Sequence, residues 1–531
     1  MDQSGQLARE NGSDAGGRLD RRELLVAAAG VAAAAAVGAA PTAAASSRVR
    51  RKTKIARYAM SGAVTTSDTA DPAFSSTQHD GRLMVAVYEQ LTRYDQGLGA
   101  VPWLAESWHH NGDGTLWTFK LRKGVRFHDR SPLTARDVVY TFHRLVDPNI
   151  KSPAASLLSF LDPAGIRAVN DHTVRFHLKQ AIADLPAALI TKSSYIVKHG
   201  STSAQLKNQT NGTGPFKLGH FTAGQTQTTF VRNNAYWQHG LPKSDIVQLI
   251  SIPEPASRVA ALKRGQVDVI EDPAGSDVRG LNGAGTRVVF QPKGNMEVIA
   301  MQMDQPPFDD PRVRLALKYA LDRQKMIQLV AQGYAGKVDD IPIASFLEYA
   351  VPGPARASDI AKAKTLLKQA GHGGGLTVKL SVSDVQARFI DFATAYQAMA
   401  SQAGITVQLD VRPSDTYWDN VWLKTPMFVS AWIARPTDAM LALLFPSNAA
   451  WNETHWKNAQ WDAQFARARR TLNVKQRTAL YRALERQIIN NGGYLVPYMV
   501  KTVGATRANV RGYAPSGTFF EGEAFKTIDV R

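Results

Sequence analysis

The stretch Trp432-Ile433-Ala434-Arg435-Pro436-Thr437-Asp438 combines an aromatic ring with two opposite charges. A guanidinium presents a planar fork that fits a carboxylate or phosphate and repels amines, and a carboxylate does the reverse. Tyr417, Trp418, Trp422, Trp451, Trp456 and Trp461 lie nearby in the chain, so six of the ten tryptophans fall within 45 positions. Any one of them is ordinary core material, but together they suit a cleft that stacks an organic ligand. This is the chemistry of binding. His109-His110 and His128-Asp129 could act as bases or metal ligands. No Gly-X-Ser-X-Gly elbow, His-Glu-X-X-His helix or Walker loop accompanies them. Gly212-Thr213-Gly214 is followed by Pro215, which removes a backbone donor where a phosphate would need one. No residue is assigned to catalysis, to a cofactor or to a metal.

These groups need elements to hold them. Trp117 to Arg122 alternates apolar and polar residues after a turn at Asn111-Gly112-Asp113-Gly114, which predicts a half-buried strand. Thr134 and Asp137 form a capping box ahead of Val138, Phe142 and Leu145 at helical spacing. Val174, Phe176 and Leu178 alternate in the same way, so a small antiparallel sheet with one wet face is expected. A strand is predicted over Ile55–Met60 and a helix over Leu83–Leu91. Ile246–Ile252, Ser257–Lys263 and Val267–Ile270 read as a strand, helix and strand crossing over a sheet, with Gly265 as a left-handed cap. Val298–Met303 reads as a strand, and Asp310-Pro311 starts a helix with the stripe Val313, Ala316, Leu317, Ala320, Leu321. Further elements are predicted as a helix over Asp359–Ala370, a strand over Thr377–Val382 and a β-rich run over Tyr494–Val500. Asp462, Phe465, Ala468 and Leu472 share one helix, and Asn473 with Gln476 starts the next. No tandem repeat of fixed period is present.

A chain of 531 residues is long enough for two or three sizeable cores, and 44% hydrophobic with 20% charged residues is ordinary for a globular protein. The absence of cysteine excludes disulfides, thiolate metal sites and a lipid-modified N-terminal Cys. Arg21-Arg22 precedes an uncharged Ala-rich run from Leu24 to Ala40, then Pro41 and Ala43-Ala44-Ala45. Residues 1–45 therefore read as a twin-arginine (Tat-like) signal peptide, removed to leave a soluble, unlipidated protein in a Gram-negative periplasm. The formal charge of +18 is spread along the chain and interleaved with acids, so a solvated basic surface is favoured over nucleic-acid binding.

The order of residues from Pro102 to Val146 resembles the signature of the extracytoplasmic solute-binding proteins of family 5, the dipeptide, oligopeptide and nickel-complex binders of ABC importers. Gly212–Phe216, Arg232-Asn233-Asn234-Ala235-Tyr236-Trp237, the Arg258 to Asp268 spacing and Phe308–Arg323 resemble further parts of that family's pattern. The resemblance implies an α/β, two-lobed periplasmic binding protein, type II-like, with an extra small subdomain in the first lobe. Lobe I is expected over 53–297 and 502–531 with the subdomain at about 81–211, and lobe II over 298–501. It implies a monomer that holds a peptide, or a peptide-like or anionic solute, between the lobes and delivers it to membrane permease subunits. Asp68 falls in a loop that lies near the cleft in that family. The peptide binders carry an Asp three residues after the tryptophan to hold the ligand's α-amine, and here that position is Arg435. Either Asp438 takes the amine, or the ligand offers an anion to Arg435. The expected ligand-binding set is Trp432, Arg435, Asp438, Tyr417, Trp418, Trp451 and Asp68. The alternative from another class is a secreted hydrolase acting on peptides or glycans.

Overall fold

In the computed structural model the described residues are 52–95, 97–283, 285–292, 294–386, 388–515 and 525–531. The expected signal segment, residues 1–45, lies outside them. The first sheet has seven strands in the order Thr286–Gln291, Thr502–Arg507, Val269–Glu271, Ile55–Met60, Ile246–Ser251, Gln227–Arg232 and Phe216–Lys217. Ile55–Met60 runs parallel to Ile246–Ser251 on one side and to Val269–Glu271 on the other, as expected of a crossover. Ala56, Tyr58, Ala59 and Met60 are all buried, because layers cover both faces of this strand. The crossover helix, Pro255–Lys263, starts where the Glu254 carboxylate accepts the free N–H groups of Ala256 and Ser257. It ends at Gly265, whose φ of 70° is costly for a side-chain-bearing residue.

A four-stranded antiparallel sheet is inserted in this half, in the order Ala105–His110, Leu116–Leu121, Thr173–Leu178, Leu161–Asn170. The inward alternation of Trp117, Phe119 and Leu121 meets Val174, Phe176 and Leu178 beneath the helix Ala135–Val146. Asp137 accepts the Thr134 backbone N–H at 2.7 Å, so the predicted capping carboxylate closes that helix start.

The second sheet has five strands in the order Ile405–Val411, Leu376–Val382, Met427–Ile433, Asn295–Met301, Tyr494–Leu495. The helix Pro311–Tyr319 begins with Asp310 accepting the Arg312 N–H at 2.8 Å, and its Val313, Ala316 and Leu317 are buried in the core of this half. The backbone passes from the first sheet to the second between Gln291 and Asn295, and it re-enters the first sheet at Thr502 directly after the strand Tyr498–Val500, which pairs with Ala335–Lys337. The two passages touch: a Cβ on Gly294 would come within 2.5 Å of the Val500 carbonyl oxygen, so only glycine fits there.

Some predicted bounds shift. The helix predicted over Leu83–Leu91 runs Gln78–Val87, started by Thr77 and Asp80. It stops because Gly214 N–H takes the Val87 carbonyl and Tyr88 turns extended. Leu472 falls outside the helix Ala459–Arg470, since Thr471 is extended and Asn473 already caps the next helix. Tyr494–Val500 is split at Val496-Pro497 into two short strands.

Candidate functional site

A crevice of about 830 Å³ is lined by Arg82, Arg258 and Asp272 from the first half and by Glu297, Arg388 and Ile433 from the second. On the first side, the charges sit on the helix Gln78–Val87, on the crossover helix and just past the carboxyl end of the strand Val269–Glu271. Ligands of open α/β sheets lie at such strand ends. The Arg82 guanidinium pairs with Glu271 at 2.5 Å, and Tyr58 OH donates to the same carboxylate at 2.6 Å. Arg258 spends its donors on the carbonyls of Ile252, Pro253, Glu271 and Asp272, at 2.6–3.0 Å. It therefore fixes the loop ends and is not free for a ligand. From the second side, Arg388 donates to Glu297 at 2.6 and 3.0 Å. Burial works against the Arg388 charge, but Glu297 outweighs it and holds the guanidinium above its ordinary pKa. With Asp391 and Lys501 also on its wall, the crevice carries nearly balanced charge.

The expected site residues divide into two groups. Ile433, at the end of the strand Met427–Ile433, lines the crevice, and Trp432 and Arg435 flank it in the chain. The Trp432 ring is continued by Trp451 at 5.9 Å, Trp422 at a further 5.6 Å and Trp418 at a further 6.3 Å between centroids. Trp418 and Trp451 are 39% and 41% exposed, so both keep ring surface available to a solute. Arg435 lies with its guanidinium 5.6 Å from the Trp432 ring centroid. Its nearest acceptor is the Ile433 carbonyl at 3.4 Å, and no carboxylate pairs with it among the described residues. Burial lowers its pKa, and Tyr94 from the first half opposes that shift. Lys192, also from the first half, is lowered by burial and then by repulsion from Arg435.

Tyr417, Asp438 and Asp68 stand behind these surfaces. Tyr417 is fully buried and its hydroxyl donates to the Val429 carbonyl at 2.8 Å. Asp438 accepts from Tyr481 OH at 2.7 Å and pairs with Arg469 at 3.0 Å, so its charge is engaged within the second half. Asp68 is buried and accepts from Thr65 N–H, Thr77 OH and the His79 ring at 2.9–3.0 Å, which ties down its own loop. Trp456 and Trp461 are core. His109 and His110 are exposed on the small sheet, and His128 contacts the Gly214 carbonyl at 3.1 Å. Burial lowers the His128 pKa to about 4, which keeps its ring neutral and structural. Among the described residues no group of three or more His, Cys, Asp or Glu could hold a metal ion.

Sequence reasoning missed Glu453. Its buried carboxylate accepts Trp422 Nε1 and Ser430 Oγ on one oxygen, both at 2.6 Å. The other oxygen accepts Trp432 Nε1 at 2.9 Å and Tyr494 OH at 2.7 Å. Burial pushes the Glu453 carboxyl up and the four donors hold it back. This one acid orients two rings of the aromatic wall. The only hint in the sequence is an isolated Glu two residues after Trp451.

A model of the bacterial extracellular solute-binding proteins, family 5, matches residues 99–452. The chain is 27% identical to the glutathione-binding protein GsiB of Pectobacterium atrosepticum, over 86% of this chain and 91% of that one. It is also 27% identical to GsiB of Escherichia coli K12, over 84% of this chain and 89% of the relative. Its fold is similar to the substrate-binding protein CtaP of Listeria monocytogenes, with a TM-score of 0.80 at 21% identity, covering 90% of this chain and 99% of that chain. It is likewise similar to the periplasmic binding protein DppA of Helicobacter pylori in complex with the peptide STSA, with a TM-score of 0.73 at 24% identity, covering 90% and 98%.

Proposed function

Because the chain belongs to the bacterial extracellular solute-binding proteins of family 5, we propose that its crevice captures a small peptide or peptide-like solute bearing at least one carboxylate. Members of the family bind small ligands for ABC importers, and this chain is such a binding component, not an enzyme. The observation that carries the ligand class is Arg435. It is a mostly buried guanidinium with no carboxylate partner among the described residues, and its charge acts unfavourably on that of Lys192 in the first half. A carboxylate bound at Arg435 would offset that repulsion with a charge-assisted hydrogen bond. Trp432, Trp451 and Trp418 supply stacking surface, while Tyr417 and Asp68 hold nearby backbone and Asp438 fixes the Tyr481 and Arg469 side chains. Glutathione, named for the relatives, is one molecule of this class.

In this reading the boundary expected at residue 297 moves back to Gly294, because the strand Asn295–Met301 belongs to the second sheet: lobe I comprises residues 53–294 and 502–531, with the inserted small sheet, and lobe II comprises 295–501. The paired passages at Gly294 and Val500 act as the hinge. A ligand closes the lobes only by binding the shut form more tightly than the open one. The protein works as an exported, unlipidated periplasmic monomer, sent out by its twin-arginine segment, and the closed form docks on permease subunits. Native mass spectrometry of the purified protein, followed by titration calorimetry with glutathione and short peptides, tests the reading. A retained or titratable anionic, peptide-like solute is expected. Exclusive binding of neutral sugars or of cations lacking a carboxylate would reject it.

A further inference from the structure

Asp272 follows the last residue of the strand Val269–Glu271 and opens on the crevice. Its backbone has a φ of 41°, a region that non-glycine residues other than Asn and Asp seldom enter. Two hydrogen bonds hold it there. Arg258 Nη2 donates to its carbonyl at 2.7 Å, and its own N–H donates to the Val503 carbonyl at 3.1 Å. The result is a carboxylate exposed to the crevice, with only Ser61 Oγ donating to it, at 3.0 Å. The cations around it are committed elsewhere: Arg82 to Glu271, Arg258 to four carbonyls, and Arg388, on the opposite wall, to Glu297. Asp272 therefore lacks a salt bridge among the described residues, although it stands beside a second acid, Glu271.

We infer that Asp272 is the anchor for a cationic group of the ligand, an ammonium in the first instance, so that a zwitterionic solute runs from Asp272 in the first half to Arg435 of the second. The inference rests on the crevice reading above and adds the ligand's positive end to it. The position after Trp432 that would carry a carboxylate for an amine carries Arg435, and Asp438 is engaged by Tyr481 and Arg469. Asp272 is a carboxylate on the crevice wall without such an engagement. Desolvation within the crevice and then the neighbouring Glu271 raise its pKa, while Ser61, Arg258 and Arg82 oppose that shift, so an arriving ammonium would add to the groups that favour the charged carboxylate. Its placement past a strand's carboxyl end, on a loop pinned by Arg258, keeps the anchor rigid before ligand arrives.

Asp272→Asn removes the charge while keeping a residue type that tolerates positive φ and an oxygen for Ser61. Titration calorimetry with glutathione, dialanine and trialanine, each beside its N-acetylated form, provides the test. The wild type is expected to prefer the free amines. Asp272→Asn is expected to weaken their binding about 10- to 100-fold, the value of one charge-assisted contact, and to leave the N-acetylated forms unchanged. Equal loss for free and N-acetylated probes would assign Asp272 to lobe closure and overturn the inference, as would no loss for either. A wild type that binds only amine-free solutes would overturn the inference and leave the crevice reading standing. A wild type that binds no small solute at all would overturn both.

Discussion

Glu453→Gln isolates the group that orients the aromatic wall. The carboxylate has two oxygens, each accepting two donors: Trp422 and Ser430 on one, Trp432 and Tyr494 on the other. Glutamine keeps one oxygen and places an NH₂ where the other stood. Whichever way the amide turns, one Trp N–H and one hydroxyl then face a donor. The hydroxyl can rotate and accept, but an indole N–H cannot. Leaving a buried donor unsatisfied costs about 1–3 kcal/mol, so one to two such groups cost about 1–6 kcal/mol. Against a total stability of about 5–15 kcal/mol for a domain, this is a large loss. Urea unfolding followed by tryptophan fluorescence reads it directly, since two of the four donors to Glu453 are indoles. Glu453→Ala, which removes all four acceptors and leaves a cavity, should lose more. A Glu453→Gln variant within about 0.5 kcal/mol of the wild type, the spread of neutral surface changes, would refute the reasoning. It would mean that the carboxyl is already protonated and that the four donors do not depend on its charge.

Arg435→Glu should weaken binding of a carboxylate-bearing solute at least about 10- to 100-fold while the protein stays folded, and unchanged affinity by calorimetry would reject the assignment. Stability should also respond to Glu485, which is buried and accepts the Val351 N–H at 2.9 Å. Burial raises its pKa from 4.5 to about 8, so the folded protein holds this proton more tightly than the unfolded chain. Its contribution is fully present below pH 4.5 and is lost as the pH rises to about 8. Glu485→Gln should flatten that fall and be the more stable form at pH 8, and parallel urea curves for the two proteins at pH 5 and pH 8 would contradict this.

Local chemistry was legible in the sequence wherever a few neighbouring residues decide the outcome. Asp310-Pro311 starts its helix through a carboxylate acting on the next turn, and Asp137 closes the Thr134 box over three residues. The alternation in Trp117–Leu121 and Val174–Leu178 found its sheet because one face of each strand is buried and the other is wet. The helix Gln78–Val87 was placed too late because Leu83–Val87 is buried on every side, so periodicity does not mark its ends. A contact from Gly214, more than a hundred residues away, stops it. The aromatic wall was readable as a set, although Tyr417, Trp456 and Trp461 proved to be core. The charged crevice was not readable. Asp272 follows a strand of the first sheet and Arg388 caps the helix Phe389–Ser401 of the second half, and their relation arises only when two non-local halves are brought together. Glu453 is a single acid whose four donors come from separate strands and loops, so no spacing rule could find it.

Small-angle X-ray scattering of the wild-type protein, with and without a solute whose binding calorimetry has verified, tests whether two hinged halves grip an unreacted molecule. A smaller radius of gyration in the bound state, with the solute recovered intact by mass spectrometry, is the expected result. An unchanged radius at saturation, or a chemically altered solute, would contradict the account.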